Sequence, residues 1–400
     1  MSLGQETTGG GQAGLSPGAQ AVVVLSPWNG DDKSAVSGTA YGLARALEDC
    51  GVTLAYLPGP PPRRLLGLVA RGTKLRWRIT EGNVDGVWRS GKESILARAA
   101  LAGLALRRAG SMDGIVQLTS DCSVGRTRAP LVTYDDMTIR QALDLGYSQW
   151  SLAQGDLDWR LARQGRTYRR AVACCTRSAW AAGSIRSDYG IEPSKIKVVG
   201  VGSNREFPVT AEKSWDVPTF LIVAADWERK NGPAVLRAFA EVRKRHQGAR
   251  LHVVGRHPRI DAPGVEAHGF LSLNDEAEKD RLSGLFAAAT CFVMPSRHEP
   301  MGISYAEAGS AGVPSIGTTR GGAHEVIGPG GTVVDPDDGG ALFAAMLRFS
   351  EPSYAAAAGE AACAHARLYT WPRVAKRILN ALGLLTSEED PEAEFLPGPD

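Results

Sequence analysis

The feature that most limits what this chain can fold into is a strand, glycine loop and helix pattern that runs twice through residues 293–327, VMPSRHEPMGISYAEAGSAGVPSIGTTRGGAHEVI. An apolar run (Phe292, Val293, Met294) ends at Pro295 and Ser296, and a turn-rich loop then carries Glu299, Pro300, Met301 and Gly302. A helix-compatible run follows from about Ser304 to Ala311, with Glu307 in its early turns. Gly312 and Pro314 stop that helix, Val313 to Ile316 reads as a short strand, and Gly321–Gly322 open a second short helix bearing Glu325. This order puts the loops at the carboxyl edge of a parallel α/β sheet.

Such an edge suits an anionic ligand. The first N–H groups of a helix are unpaired and lie at the positive end of its dipole, so phosphate can sit there. Gly302 and the Gly321–Gly322 pair let main chain approach a ligand closely. Glu299 and Glu307 would repel phosphate, so their natural partners are hydroxyls, which donate to ionised carboxylates. N–H groups for phosphate beside carboxylates for hydroxyls fit a nucleotide that carries ribose and a sugar.

The same pattern recurs along the chain. Ala21–Leu25 is an all-apolar strand of a sheet covered on both faces, and Ser37-Gly38-Thr39 at the next helix start is a second phosphate contact. A helix over Ile95–Arg108 and strands over Gly114–Leu118 and Leu131–Tyr134 follow, the last ending in Asp135 and Asp136. Residues 139–170 read as long helical segments, AVACCT as a strand, and Lys197–Val201 as another. A polar linker with two prolines, Gly202–Pro218, marks the domain boundary. Beyond it, strand Phe220–Ala224 runs into the loop ADWERKNG, which sets Arg229 and Lys230 just before a helix, where cations neutralise a diphosphate. Strand Leu251–Val254, a short strand before Gly269 and Phe270, a helix over Asp280–Ala289, strand Gly331–Asp335 and helix Gly340–Ser350 complete the second half. Trp371–Leu385 is a last amphipathic helix.

The expected architecture is α/β, with two Rossmann-like domains facing a cleft. Residues 1–20 form a disordered lead, 21–205 the first domain, 206–370 the second, 371–386 a crossing helix and 387–400 a disordered acidic tail. Four hundred residues with 43% hydrophobic and 22% charged content suit two globular cores, and a net charge of +2 gives no bias towards nucleic acid. No run approaches 18 apolar residues and no signal peptide is visible, so a cytoplasmic protein is expected. Residues 61–80, with Arg63, Arg64, Arg71, Lys74, Arg76 and Arg78 and no acid, read as a solvated face and linker or as a peripheral membrane contact. The six cysteines show no metal-ligand spacing and read as reduced thiols. His298, His324 and His365 lack metal-ligand companions and read as ordinary, no Asp-x-Asp motif is suitably placed, and the absence of G-x-G-x-x-G argues against a nicotinamide cofactor.

Glu299 and Glu307, separated by seven residues, after Pro-Ser and before Gly-Gly-x-x-Glu, resemble the donor site of retaining family-four glycosyltransferases of the GT-B fold. The resemblance implies a nucleoside-diphosphate sugar as donor, no required cofactor or metal, and a small-molecule, glycan or glycolipid acceptor. It assigns the sugar to Glu299, the ribose to Glu307, and backbone N–H groups to Met301, Gly302 and Ile303, with Ser296 beside them. Gly38 then lies near the donor phosphates, and Gly269 and Phe270 lie by the base. Lys230 matches the family's lysine. Its arginine position holds Ala224 or Ala225, which leaves Arg229 as a displaced candidate. Where many members carry a histidine, this chain has TYDDMT, so Asp135 or Asp136 substitutes, or one of them caps the following helix. A same-face mechanism with retention is implied. The alternatives are a nucleotide-sugar epimerase of similar fold and an inactive sugar-nucleotide-binding protein.

Overall fold

The described strands pair in parallel throughout two six-stranded sheets. In this computed structural model the described residues are 20–26, 38–57, 92–119, 123–147, 154–205, 207 and 213–399. The expected lead (1–20, all but its last residue) and the basic segment 61–80 lie outside them.

The first sheet contains β1 (Ala21–Leu25), β2 (Thr53–Leu57), β3 (Gly114–Leu118), β4 (Leu131–Asp135), β5 (Ala173–Thr176) and β6 (Ile196–Val198), in the order β2-β1-β3-β4-β5-β6. Its helices are α1 (Thr39–Asp49), α2 (Lys92–Ala109), α3 (Ile139–Asp144), α4 (Gln154–Arg170) and α5 (Ala179–Ser187). Thus the helical stretch expected over 139–170 divides into two. Thr138 and Gln141 close a reciprocal capping box at the start of α3. β3 and β4 are buried at every position because helices cover both faces, which is why their sequences do not alternate.

The second sheet is built from β7 (Thr219–Ala224), β8 (Arg250–Gly255), β9 (Val265–Gly269), β10 (Cys291–Val293), β11 (Ser315–Thr318) and β12 (Gly331–Val334), ordered β12-β11-β10-β7-β8-β9. Helices α6 (Gly232–Arg245), α7 (Glu276–Ala288), α8 (Ile303–Ser310), α9 (Ala323–Ile327), α10 (Gly339–Arg348) and α11 (Pro352–Ala366) surround it. The sequence reading assigned no element to the stretch that forms α11. No described helix is long and apolar enough to cross a membrane, and the described cysteines are unpaired.

Helix α12 (Trp371–Leu382) returns to the first sheet and packs on α1. Its first residue fixes the join. A Cβ at Gly42 would lie 2.2 Å from the Trp371 indole and one at Gly202 2.3 Å from it, so only glycine on both sides admits the ring. The indole N–H donates to Asn204 Oδ1 at 2.9 Å.

The tail corrects one expectation. Its acidic, proline-rich composition predicts disorder, yet residues 387–399 dock on the basic face of α12. Lys376 pairs with Asp390 at 2.8 Å and with Glu392 at 2.6 Å, and Arg373 pairs with Glu392 at 3.1 Å. Leu396 N–H donates to Val198 O at 2.9 Å, adding a bridge beyond β6. The buried Arg377 guanidinium donates to the carbonyls of Glu394, Val199 and Leu368, which ties the tail, the first sheet and the end of α11 together. The acids that looked like a solvated tail have found partners supplied by a distant helix.

Candidate functional site

In the second sheet the chain moves outward from β7 through β8 to β9 and then returns to β10 on the other side of β7. The carboxyl ends of β7 and β10 therefore border a topological switch point, where loops part and leave a crevice. Two loops meet there. One, after β7, carries Arg229 and Lys230; the other, after β10, carries Ser296, His298 and Glu299. Their main chains interlock, because Arg297 N–H donates to Arg229 O at 2.8 Å.

Glu299 lies at the centre of the crevice and is buried. Its Oε2 accepts from Lys230 Nζ, from Arg229 Nη1 at 3.5 Å and from Ser296 Oγ at 3.3 Å. Burial works against its charge, but Lys230 and then Arg229 outweigh that and hold the carboxyl below the ordinary carboxylate range. Burial lowers the Lys230 ammonium pKa, and Glu299 offsets part of that effect. Arg229 is further anchored by Asp226 at 3.6 Å and by the His298 carbonyl at 3.2 Å. The displaced arginine and the lysine thus converge on one carboxylate.

Helix α8 starts beside this group. Its N-cap is Gly302, at φ 84°, which offers no side-chain cap, so the opening N–H groups of the helix are left for a ligand. Met301 and Ile303 have buried side chains, which leaves their main chain as what they have to offer a ligand. Gly321 secures the loop from the far side. It has φ 118°, forms a parallel bridge with Glu299, and would place a Cβ 2.0 Å from Glu299 O.

Glu307, further along α8, is buried and does not stand free. Arg205, from the linker between the sheets, places Nε 3.3 Å from its Oε1. Arg205 Nη1 also donates to Lys279 O at 3.1 Å and to Ser283 Oγ at 3.0 Å on α7. Burial raises the Glu307 carboxyl, and Arg205 offsets only part of that. The sequence reading missed Arg205, which lies about a hundred residues from its partner.

Gly269 lies at the end of β9 at φ 70°, and its N–H donates to His257 Nε2 at 3.3 Å. Phe270 beside it is 49% exposed, with the Arg256 guanidinium 4.7 Å from its ring centroid. Gly38, at the start of α1, faces Asn204 rather than Glu299; an added Cβ would lie 2.8 Å from the Asn204 amide.

The first sheet contributes the opposing wall. Asp136, just past β4, lies 3.9 Å from Arg177, the residue that follows β5. Tyr147 stacks on His298 with ring centroids 4.3 Å apart, and Arg229, Glu299 and Asp136 are all close enough to bear on its phenol. Among the described residues, His298 Nε2 is buried without a hydrogen-bond partner. The sequence reading treated this histidine as ordinary. Asp135 is the candidate that does not reach the cleft: it is buried on the face of β4 that it shares with Thr133, beside Tyr168 of α4. Burial and then Asp136 push its carboxyl up to about 7. Alternation at a strand end explains the split, since Tyr134 and Asp136 share one face and Thr133 and Asp135 the other.

Glu325, at the start of α9, reaches across to the other unit. Its carboxylate accepts from Ala179 N at 2.6 Å and Trp180 N at 2.8 Å, the opening amides of α5. Ser178 lies against Gly322, where a Cβ would come within 2.9 Å. The Gly-Gly-x-x-Glu motif therefore sets the spacing between the two sheets.

Comparison with known proteins agrees with this geometry. Residues 217–351 match the family described as glycosyl transferases group 1. The chain is 35% identical over 102 residues to O-antigen chain mannosyltransferase B of Escherichia coli, which is 25% of this chain and 27% of that protein. It is 32% identical over 163 residues to a GDP-mannose-dependent alpha-(1-6)-phosphatidylinositol monomannoside mannosyltransferase of Mycolicibacterium smegmatis, 36% of this chain and 42% of that one. The chain thus spans about a quarter to a half of the length of such curated relatives. Among solved structures, sucrose-phosphate synthase from Thermosynechococcus elongatus superposes with TM-score 0.65 at 16% identity, covering 90% of this chain and 98% of that one. WaaG, a glycosyltransferase involved in lipopolysaccharide biosynthesis, gives 0.59 at 14% identity, covering 90% and 99%. At those identities the likeness is one of fold.

Proposed function

We propose that this chain, whose residues 217–351 match the group 1 glycosyltransferases and whose fold is GT-B, moves a glycosyl group from a nucleoside-diphosphate sugar to an acceptor hydroxyl. The observation that carries this reading is the Lys230–Glu299 ion pair in the switch-point crevice, beside the uncapped start of α8. The diphosphate takes the α8 amides and draws Lys230 and Arg229 to it, so protein cations meet the charge that grows as the glycosidic bond breaks. Glu299, released from Lys230, accepts hydroxyls of the donor sugar and balances positive charge at the anomeric carbon. Glu307 takes the ribose hydroxyls once Arg205 gives way. The base lies against Gly269 and Phe270.

The acceptor enters from the first-sheet wall, past Asp136, Arg177 and Tyr147. His298, neutral because burial and then Arg229 lower its pKa, presents its unpartnered Nε2 to a sugar or acceptor hydroxyl. Asp135 is turned away, and Asp136, near Arg177 on the opposing wall, is read as an acceptor contact, which suits a same-face route. The leaving phosphate takes the acceptor proton as the new bond forms, and the anomeric configuration is retained. The charge carried by Lys230 and Arg229 supports transfer without a divalent ion. Relatives named as mannosyltransferases, several of them GDP-mannose-dependent and named for phosphatidylinositol monomannoside, make GDP-mannose the first donor and a phosphatidylinositol mannoside or an O-antigen chain the first acceptor to try.

The test is transfer from an α-linked donor in EDTA, with the product anomer read by NMR. An α product formed at the rate seen with Mg2+ supports the reading. A β product, or transfer that stops in EDTA and returns with Mg2+, would refute the mechanism. Donor turnover to another sugar nucleotide without acceptor would favour an epimerase.

A further inference from the structure

Away from the cleft, three metal-competent side chains meet on the outer strands of the second sheet. His252 of β8 is paired in register with Glu266 of β9, the edge strand. Two residues on, the ladder slips: Val253 pairs with Ala267 but Val254 pairs with Gly269, so His268 is the extra residue of a bulge. A bulge re-aims the side chain it carries, and here it brings the His268 ring over His252, with centroids 5.2 Å apart. His252 Nδ1 and His268 Nε2 are 3.0 Å apart, Glu266 Oε2 is 3.6 Å from the first and Oε1 3.7 Å from the second. The three ligand atoms lie within 4.8 Å of one another. Two ligands about 2.1 Å from a metal stand about 3.0 Å apart at a right angle and about 3.4 Å apart at the tetrahedral angle, so the imidazole nitrogens, 3.0 Å apart, are within a few tenths of an ångström of either geometry. Both rings are largely enclosed, with side chains 13% and 3% exposed, while Glu266 opens to solvent.

We propose that His252, Glu266 and His268 form a binding site for a divalent transition metal of the zinc class, tying edge strand β9 to β8. Two imidazoles and one carboxylate suit Zn2+, Co2+ or Ni2+ and leave coordination positions to water. The proton inventory is definite. Arg281 Nη2 stands 2.8 Å from His268 Nδ1, and a guanidinium can only donate, so His268 carries its proton on Nε2 and gives it to His252 Nδ1. Metal capture needs the Nε2 lone pair. The His268 proton therefore moves to Nδ1, Arg281 withdraws, and no net proton is released from the imidazoles. Arg281 is thus a competitor of the metal, which gives the proposal a variant that should gain binding.

His268 of the cluster immediately precedes Gly269 and Phe270 in the chain. That position bears on donor binding only if this loop takes the base, as proposed above. Metal binding is read with no donor present, so the two readings can fail separately.

The experiment is titration of the untagged, chelator-stripped full chain with Co2+ and Zn2+, following cobalt absorption and calorimetric stoichiometry. One equivalent is expected, with imidazole-type cobalt bands. His252→Asn and His268→Gln are expected to weaken binding by at least about tenfold while matching the parent in circular dichroism and thermal midpoint in EDTA. Glu266→Gln weakens it less, and Arg281→Met tightens it several-fold. Zinc raises the thermal midpoint of the parent and of Arg281→Met but not of His252→Asn. Binding by the parent no tighter than by His252→Asn, or weaker binding by Arg281→Met, overturns the proposal and leaves a hydrogen-bonded histidine pair.

Discussion

The carboxyl edges of the two sheets look alike in sequence and do different work. At the second edge, Glu299 and Lys230 are buried together, with half-buried Arg229 beside them, and their charges compensate one another. At the first edge, Asp135 and Asp136 are neighbours in the chain but part company. One is enclosed beside Tyr168, and the other stands in the cleft by Arg177. A buried carboxylate beside a lysine is poised for a ligand that can replace the lysine. A buried carboxylate without a cation is a liability that pH reveals. The presence of a counter-ion, more than burial itself, separates the proposed donor site from a structural acid.

The sharpest way to break this contrast is Lys230→Met. It removes the cation that meets the diphosphate and is expected to lower kcat by about a thousandfold, the scale of losing a main transition-state donor. It also leaves Glu299 buried without its closest partner, at a stability cost of roughly 3 kcal/mol in urea unfolding. Full activity in this variant would remove the second edge from the chemistry.

Gly321→Ala is expected to cost roughly 2–4 kcal/mol, since its Cβ would collide with Glu299 O in a conformation strained for alanine. Because the collision falls on the donor loop, activity should fall even at temperatures where the variant remains folded.

Asp136→Asn is expected to lower turnover by about ten- to a hundredfold with little change in stability. Asp135→Asn is expected to act through pH alone. Its folded-state pKa of about 7 is above the unfolded value of about 3.9, so its contribution to stability is fully present below pH 4 and is lost as pH rises through 7. The parent should therefore lose urea resistance between about pH 4 and pH 7 relative to Asp135→Asn and level off above that, while the variant's midpoint varies less. Equal pH profiles would return Asp135 to the solvent side of the account.

The smallest expected effect is at the join. Glu325→Gln keeps the shape but removes charge from the amides of α5, and should cost about 1 kcal/mol or less. Its mark should be a raised KM for acceptor, from looser spacing of the sheets, with the donor dissociation constant unchanged.

What could be read from the sequence follows from how local each feature is. The stretch from Val293 to Ile327 was legible because strand, loop, helix and both glutamates are contiguous; the repeated pattern gave the parallel α/β sheets, and the GT-B fold came from the family resemblance of this stretch. Arg205 on Glu307 and Glu325 on α5 were not legible, because each joins parts of the chain that meet only after folding. Residues 352–366 were overlooked although Pro at the first turn followed by an alanine-rich run is a plain helix signal. The separation of Asp135 from Asp136 was available from alternation along β4. The docked tail was not, since acidity predicts solvation unless a basic helix face is known to await it. His252, Glu266 and His268 escaped a search by spacing because a bulge brings them together.

The most direct measurement is calorimetric binding of nucleoside-diphosphate sugars, GDP-mannose first, to the parent, to Lys230→Met and to Asp136→Asn. The account predicts one site in the parent, affinity reduced at least about tenfold by Lys230→Met, and affinity unchanged by Asp136→Asn. Equal binding by the parent and Lys230→Met, or loss of binding in Asp136→Asn alone, would contradict the claim that the second-sheet crevice is the donor site.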